Sequence, residues 1–321
     1  MATLALAGDT MLGRMVGEHL ATHPVRTLFG DELLEVLART DGTVLNLECC
    51  ISDRGEPWPD RVFHFRAPPV AVEALQLLGV RCVTLANNHA MDYGEPALLD
   101  TLDHLRRAGI EVSGAGADVA AARVPASITV DGRVITVVSV TDDPIEYAAT
   151  TERPGVAWVD PADMVPAWLA DLVGERARSG EFVLVSPHWG PNMTEGPLRR
   201  IRRAAADHLV AGASLVAGHS AHVFHGVQRR VLFDLGDFVD DYAVGLLRND
   251  LSLLWLVTLD DTGPLAVEAV PLRLRYCHTT LARGDDERWI RERFRRACAD
   301  LGTDVAERDG RLVVRLTDLR D

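Results

Sequence analysis

Five apolar runs of strand length in this chain stop on polar residues of a narrow set of types. That recurrence constrains the fold more than any other feature. "TLALAG" ends at Gly8-Asp9, and "TVLNLE" carries Asn46 and Glu48. "RCVTLA" climbs into Asn87-Asn88-His89, with Asp92 three residues on. "EFVLVSPHWG" ends at His188, and "ASLVAGHSAHV" at His219 and His222. Helical patterns lie between the runs: "GDELLEVLART", "VAVEALQLLG" opened by Pro68-Pro69, "EPALLDTLDHLRRAG" closed by Gly109, "PADMVPAWLADLVGERARSG", and "GPLRRIRRAAADHLVAG". Strand–helix alternation predicts an α/β protein, and ligands of such sheets bind beyond the carboxyl ends of the strands. "ASITVDGRVITVVSV" predicts a hairpin turning at Asp131-Gly132. The later β runs "HGVQRRVLFDLGDF", "LSLLWLVTLDD" and "LAVEAVPLRLRY", with the late helix "DERWIRERFRRACADLG" and the strand "RLVVRL", make the sheet mixed and divide it into two layers. One domain over residues 1–321 is expected, with a C-terminal β/α extension from about 250.

Taken singly, each polar strand end has an ordinary explanation. Gly-Asp makes turns, Asn88 could cap a helix, His188 could be a core partner of Trp189, and His219 and His222 could be loop histidines. Glu48 fits least well, because a carboxylate after an apolar strand must be paired or exposed. Together, one Asp, one Glu, one Asn amide and three His form the donor set of a divalent metal site, with imidazoles favouring Zn, Mn, Fe or Co over Ca.

Composition removes several alternatives. A net charge of −14 argues against nucleic acid as a partner, because phosphate contacts need clustered cations. The basic run Arg199 to His208 reads as one solvated helix face. All 33 basic residues are arginine, so Schiff-base and P-loop lysine chemistry is absent. The five cysteines (49, 50, 82, 277 and 298) include no CxxC pair and read as buried thiols in a reducing compartment. The N-terminus has no basic stretch before its apolar run and reads as a first core strand. No run approaches the ~20 apolar residues that span a bilayer, so a cytoplasmic location with no membrane partner is expected.

The ordered set Asp9, Asn46-x-Glu48, Asn87-Asn88-His89-x-x-Asp92, His188 and Gly218-His219-x-x-His222 resembles the CapA (poly-γ-glutamate capsule synthesis) family of the calcineurin-like metallophosphoesterase superfamily. The blocks "GDTMLGR", "LANNHAMDYG", "HWG" and "FDLGDF" carry the likeness, from about Leu4 to Phe238. The resemblance implies a four-layer α/β/β/α sandwich with one or two divalent metals at its rim. It implies Asp9, Glu48, Asn88, His188, His219 and His222 as ligands, Glu48 replacing the superfamily's bridging aspartate. His89 would be the general acid or base and Asp92 its orienter. One departure is plain: the superfamily's first motif is Asp-x-His, and here Met11 stands in place of that histidine.

Such parts suit phosphoester hydrolysis, and equally suit proton abstraction beside a metal-held carboxylate or carbonyl. The incomplete first motif speaks against in-line transfer between two metals. The segment "EPWPDRVFHFRAPP" offers Trp58, His64, Phe65 and Arg66 as an aromatic, arginine-bearing wall that suits a peptide carboxylate, unless it simply packs on its own aromatics. Trp189 and His225 are read as further substrate contacts, and Asp9 and His225 as candidates for a second base. One kind of CapA-like protein epimerises the C-terminal tryptophan of a ribosomally made lasso-type precursor peptide. The resemblance therefore implies a metal-dependent peptide epimerase with that peptide end as partner. A phosphoesterase or poly-γ-glutamate hydrolase, and a non-catalytic metal-containing peptide-binding module, are the alternatives.

Overall fold

The computed structural model describes residues 1–316. Its main elements are β1 (Ala2–Thr10), α1 (Arg14–Thr22), α2 (Asp31–Leu37), β2 (Gly42–Leu47), α3 (Ala71–Leu77), β3 (Val80–Thr84), α4 (Gly94–Arg107), β4 (Glu111–Ser113), β5 (Ala126–Val130), β6 (Arg133–Thr141), α5 (Ala167–Arg178), β7 (Phe182–His188), α6 (Arg199–Ala211), β8 (Leu215–Ala217), β9 (Val227–Gln228), β10 (Val231–Leu232), β11 (Asp237–Val239), β12 (Leu251–Asp260), β13 (Gly263–Arg275), β14 (His278–Leu281), α7 (Gly284–Ala299), β15 (Ala306–Arg308) and β16 (Arg311–Arg315).

Two mixed sheets form. The larger runs β15-β16-β13-β12-β1-β2-β3-β4, with β11 beside β1 and β14 beside β13; the smaller runs β9-β10-β8-β7-β6-β5. In the large sheet β1, β2 and β3 are parallel neighbours, and in the small sheet β6, β7 and β8 are. Successive residues of each strand face opposite layers, which builds three cores. Ala5, Ala7, Leu45 and Val83 pack outward against Val16, Leu33, Leu75 and Leu98 of α1 to α4. Leu4, Leu6 and Val44 face inward onto Ile135, Val137 and Leu184 of the small sheet. Val138, Val183 and Val185 pack outward on Leu169 of α5 and Ile201 of α6. The α/β/β/α sandwich and its mixed sheets are therefore as expected. Central strands buried on both faces explain why the sequence reads as continuous apolar runs, each buried Leu or Val contributing ~1.5–3 kcal/mol.

The helix expected in "PADMVPAWLADLVGERARSG" begins at Ala167, directly after Pro166, the proline that the sequence sets near its start or at a bend. Two details depart from the sequence reading. Helix α1, which buries Val16, Gly17 and Leu20, was not anticipated. The strands assigned to a C-terminal extension enter the large sheet, and β12 pairs antiparallel with β1 from Ala2↔Leu259 to Leu6↔Trp255. The hairpin turn is as expected, with positive φ at Asp131 and Gly132. All five cysteines are buried free thiols, and no helix among the described residues is long and apolar enough to cross a membrane.

His208 lies on the buried face of α6, close to Trp189, and neither ring nitrogen has a hydrogen-bond partner among the described residues. Burial lowers its pKa to about 4. A histidine depressed below its unfolded value of ~6.5 contributes stability that is present above that value and lost as pH falls toward the folded pKa. Replacing it with an apolar residue, His208→Met, is expected to remove roughly 3 kcal/mol of the acid-induced loss between pH 7 and pH 4. Urea unfolding at those two pH values reads this out, and an unchanged pH dependence in the variant contradicts it.

Candidate metal centre

The site forms where the parallel strands end. β1 delivers Asp9, β2 runs into Glu48, β3 into Asn87-Asn88-His89, β7 ends at His188, and β8 leads into His219 and His222. Tight packing requires the glycines that precede two of these residues. A Cβ on Gly8 would stand 1.7 Å from the Gly236 carbonyl oxygen, and one on Gly218 would meet the Phe233 carbonyl oxygen at 2.2 Å. The loop after β8 is strained, with positive φ at Ser220 and His222, a conformation that persists only where the surroundings impose it.

The six residues expected as ligands split into a hydrogen-bonded part and an unsatisfied part. Asp9 accepts from Asn46 Nδ2 at 2.8 Å and meets His219 Nδ1 at 3.1 Å, while His219 Nε2 lies 3.0 Å from Ser186 Oγ. Asn87, next to the expected ligand Asn88, donates to Asn46 Oδ1 and to the Leu47 carbonyl, at 2.9 and 2.8 Å. Its own Oδ1 accepts the His89 backbone N–H at 3.0 Å. It locks the ends of β2 and β3 together. By contrast, both Glu48 oxygens, Asn88 Oδ1 and both His188 nitrogens are buried with no hydrogen-bond partner among the described residues. Glu48 Oε1 is 3.7 Å from His188 Nε2 and 4.0 Å from His222 Nε2. Orphaned buried donors and acceptors cost ~1–3 kcal/mol each, and more for charged groups, unless something else satisfies them. A divalent ion does so, and these residue types fit one.

Two donor clusters emerge: Asp9, Glu48 and His188, and Asp9, His222 and Asp237. Asp9 is common to both. His219 falls in neither, and Asp237 was not anticipated. Electrostatics reflect the crowding. Burial alone would raise Asp9, but the His219 hydrogen bond and the charges of His219, His222 and His188 hold it below the usual carboxylate range. Glu48 is pushed well above that range by burial and by the Asp9 charge, and Asp237 by burial and by Asp240. Burial lowers His188. It also works against His222, which the Glu48 and Asp9 carboxylates nevertheless raise.

His89 and Asp92 form the second feature. His89 Nδ1 lies 2.6 Å from Asp92 Oδ2, which also accepts the Phe65 backbone N–H at 2.8 Å. Tyr147 donates its hydroxyl to Asp92 Oδ1 at 2.9 Å. The pinned Nδ1 leaves Nε2 as the nitrogen able to exchange a proton. Burial lowers His89, offset in part by Asp92. Tyr147 was invisible to the sequence because it arrives from a separate loop.

The aromatic segment wraps this pair. The Phe65 ring lies on His89 at 4.0 Å, and Trp58 packs edge-on against Tyr147 while its backbone N–H donates to the Asp92 carbonyl. His64 Nε2 lies 2.6 Å from the Trp58 carbonyl oxygen. Arg66 stacks over Tyr93 and donates to the Arg54 and Gly55 carbonyls, so its guanidinium braces the loop. Trp189 and His225 are both buried; Trp189 Nε1 donates to the Phe233 carbonyl, and His225 Nε2 lies 2.8 Å from the Thr194 carbonyl oxygen. They border a gap of about 10 Å³, which leaves no room for a substrate group. The open space is a cleft of about 280 Å³ that reaches Asn88 and His188 and is bordered by Asp142, Asn192, Arg200 and Ser220.

Fold and site together define a layered α/β/β/α protein with a rim of carboxylate, amide and imidazole donors at its strand ends. The chain belongs to the bacterial capsule synthesis protein family PGA_cap, whose profile matches residues 3–242. It is 32% identical to a "Probable polyglutamine synthesis accessory protein" of Mycobacterium tuberculosis, over 98% of this chain and 95% of the relative. It is 26% identical to the "PGA biosynthesis protein CapA" of Bacillus subtilis, over 84% and 71%. Among solved structures, a hypothetical protein from Thermus thermophilus shares the fold, with a TM-score of 0.50 and 14% identity over 84% of this chain and 99% of that one.

Proposed function

We propose that this protein is a metal-dependent enzyme that removes and returns the Cα proton of a peptide's C-terminal residue, an epimerase. The observation that carries the reading is the His89–Asp92–Tyr147 relay: a buried imidazole, fixed through Nδ1, adjoining the orphaned amide oxygen of Asn88. Asp9, Glu48, Asn88, His188, His219 and His222 would hold divalent metal, which would supply positive charge to stabilise the carboxyl end of the substrate when its Cα proton leaves. His89 Nε2 takes the proton, and Asp92 holds the tautomer and steadies the imidazolium. Asp142, which borders the cleft with His188, is assigned as the second proton-handling group. The cleft lies just below the usual ~300–1,000 Å³ of small-molecule pockets, which suits one terminal residue rather than a long chain. Arg200 and Asn192 at its border are donors suited to a carboxylate. Tryptophan at the end of a lasso-type precursor is the substrate the family resemblance suggests. The relatives named for polyglutamine and PGA synthesis agree with a peptide-like substrate.

A second reading, phosphoester hydrolysis, is favoured by one observation: the two donor clusters share Asp9, as two-metal sites for in-line displacement do. Incubation with a tryptophan-terminated precursor peptide in D₂O separates the readings. One deuteron at Cα per inverted residue is the expected result. Turnover of p-nitrophenyl phosphate without deuterium uptake would sink the epimerase, and neither signal would leave a non-catalytic binding module.

A further inference from the structure

We infer that Asp237 is a metal ligand that takes over from the histidine missing at position 11, so that the protein has two metal positions bridged by Asp9. The inference holds for either reaction above. The first motif is short of a donor because the Met11 side chain is fully buried and its sulfur accepts the Gly13 N–H at 3.1 Å. The replacement comes from another strand. β11 pairs parallel with β1 in the register Asp9↔Asp237, held by the Asp9 N–H to the Gly236 carbonyl at 2.9 Å. Side chains at matched positions of adjacent strands emerge on the same face of the sheet, so the pairing puts a second carboxylate beside Asp9.

The distances suit ligation. His222 Nδ1 lies 2.8 Å from Asp237 Oδ1 and 3.5 Å from Asp9 Oδ2. Donors ~2.0–2.2 Å from a common ion, at angles of roughly 90–110°, stand about 2.8–3.6 Å from each other. Asp237 is fully buried, and its Oδ2 has no hydrogen-bond partner among the described residues. An aspartate serving only to orient His222 would need one oxygen and leave the other buried and unpaired beside further carboxylates, an arrangement a cation relieves.

Metal counting tests this without reference to activity. Metal-free protein titrated with Mn²⁺ or Zn²⁺ and assayed by inductively coupled plasma mass spectrometry is expected to hold two equivalents. Asp237→Asn is expected to hold one, and His188→Ala to lose the other. The asparagine keeps an acceptor for His222 Nδ1 while removing the charge, so it separates ligation from orientation. Two equivalents retained in Asp237→Asn, with affinity within about tenfold, would reduce Asp237 to a tether of His222. A single equivalent in the unmodified protein would also overturn the inference. A Co²⁺-loaded sample gives an independent readout, since loss of a ligand shifts its visible absorption and loss of a tether does not. None of these outcomes bears on the deuterium test, so the two proposals can fail separately.

Discussion

Glu48→Ala is expected to abolish tight metal binding and to lower turnover by ~10²–10⁴, the several kcal/mol that a divalent ion contributes to charge stabilisation. The argument rests on what Glu48 lacks. Both oxygens are buried and unpartnered, with His188 and His222 the imidazoles nearest to them in the site. No hydrogen bond is lost on truncation, so the metal-free variant should fold at least as well as the parent. Linkage gives the sign. A carboxyl whose folded pKa is raised contributes stability that is full below its unfolded value of ~4.3 and is lost as pH rises, so part of the parent's alkaline loss should vanish in the variant. The metal-dependent rise in melting temperature should vanish as well. At a metal concentration 100 times Kd that rise reflects ~2.7 kcal/mol in the parent. Full metal content and an intact metal-induced shift in Glu48→Ala would refute the ligand assignment.

The second large effect belongs to His89. His89→Gln is expected to cost ~10²–10⁴ in turnover with metal content unchanged, the usual contribution of a positioned acid or base. Metal loss in this variant would move His89 into the ligand set instead. Asp92 demands a gentler change, because it accepts from His89, the Phe65 N–H and the Tyr147 hydroxyl. Alanine there would strand two further buried donors at ~1–3 kcal/mol each, and folding would confound the kinetics. Asp92→Asn keeps acceptor capacity and isolates the loss of charge. Tyr147→Phe should cost about 1 kcal/mol of stability, the net worth of one hydrogen bond.

The parts of the site that were legible share a local signature. Asp9, Glu48, Asn88 and His188 each fall at or just past the end of an apolar run, so a polar interruption at a strand end was enough to mark them. His89 and Asp92 sit three residues apart within one turn, and their pairing was what the family resemblance implied. The missed or misread residues depend on partners distant in sequence. Asp237 begins a three-residue strand and looks like a turn residue until it is set beside Asp9. Tyr147 and Phe65 converge on the His89–Asp92 pair from different loops. The aromatic segment carried the right composition for a substrate wall. However, its rings and carbonyls satisfy one another and the acid–base pair, which composition does not express.

Taken by itself, the sequence determined the layered α/β architecture and the donor types at the strand ends. Both follow from local rules: continuous apolar runs of strand length, helix termination, and the cost of a polar group at the end of a buried strand. Tertiary structure alone decided which donors share an ion and which residue makes good the loss at Met11. Those depend on the register between β1 and β11, and register is set by packing between strands far apart in the chain.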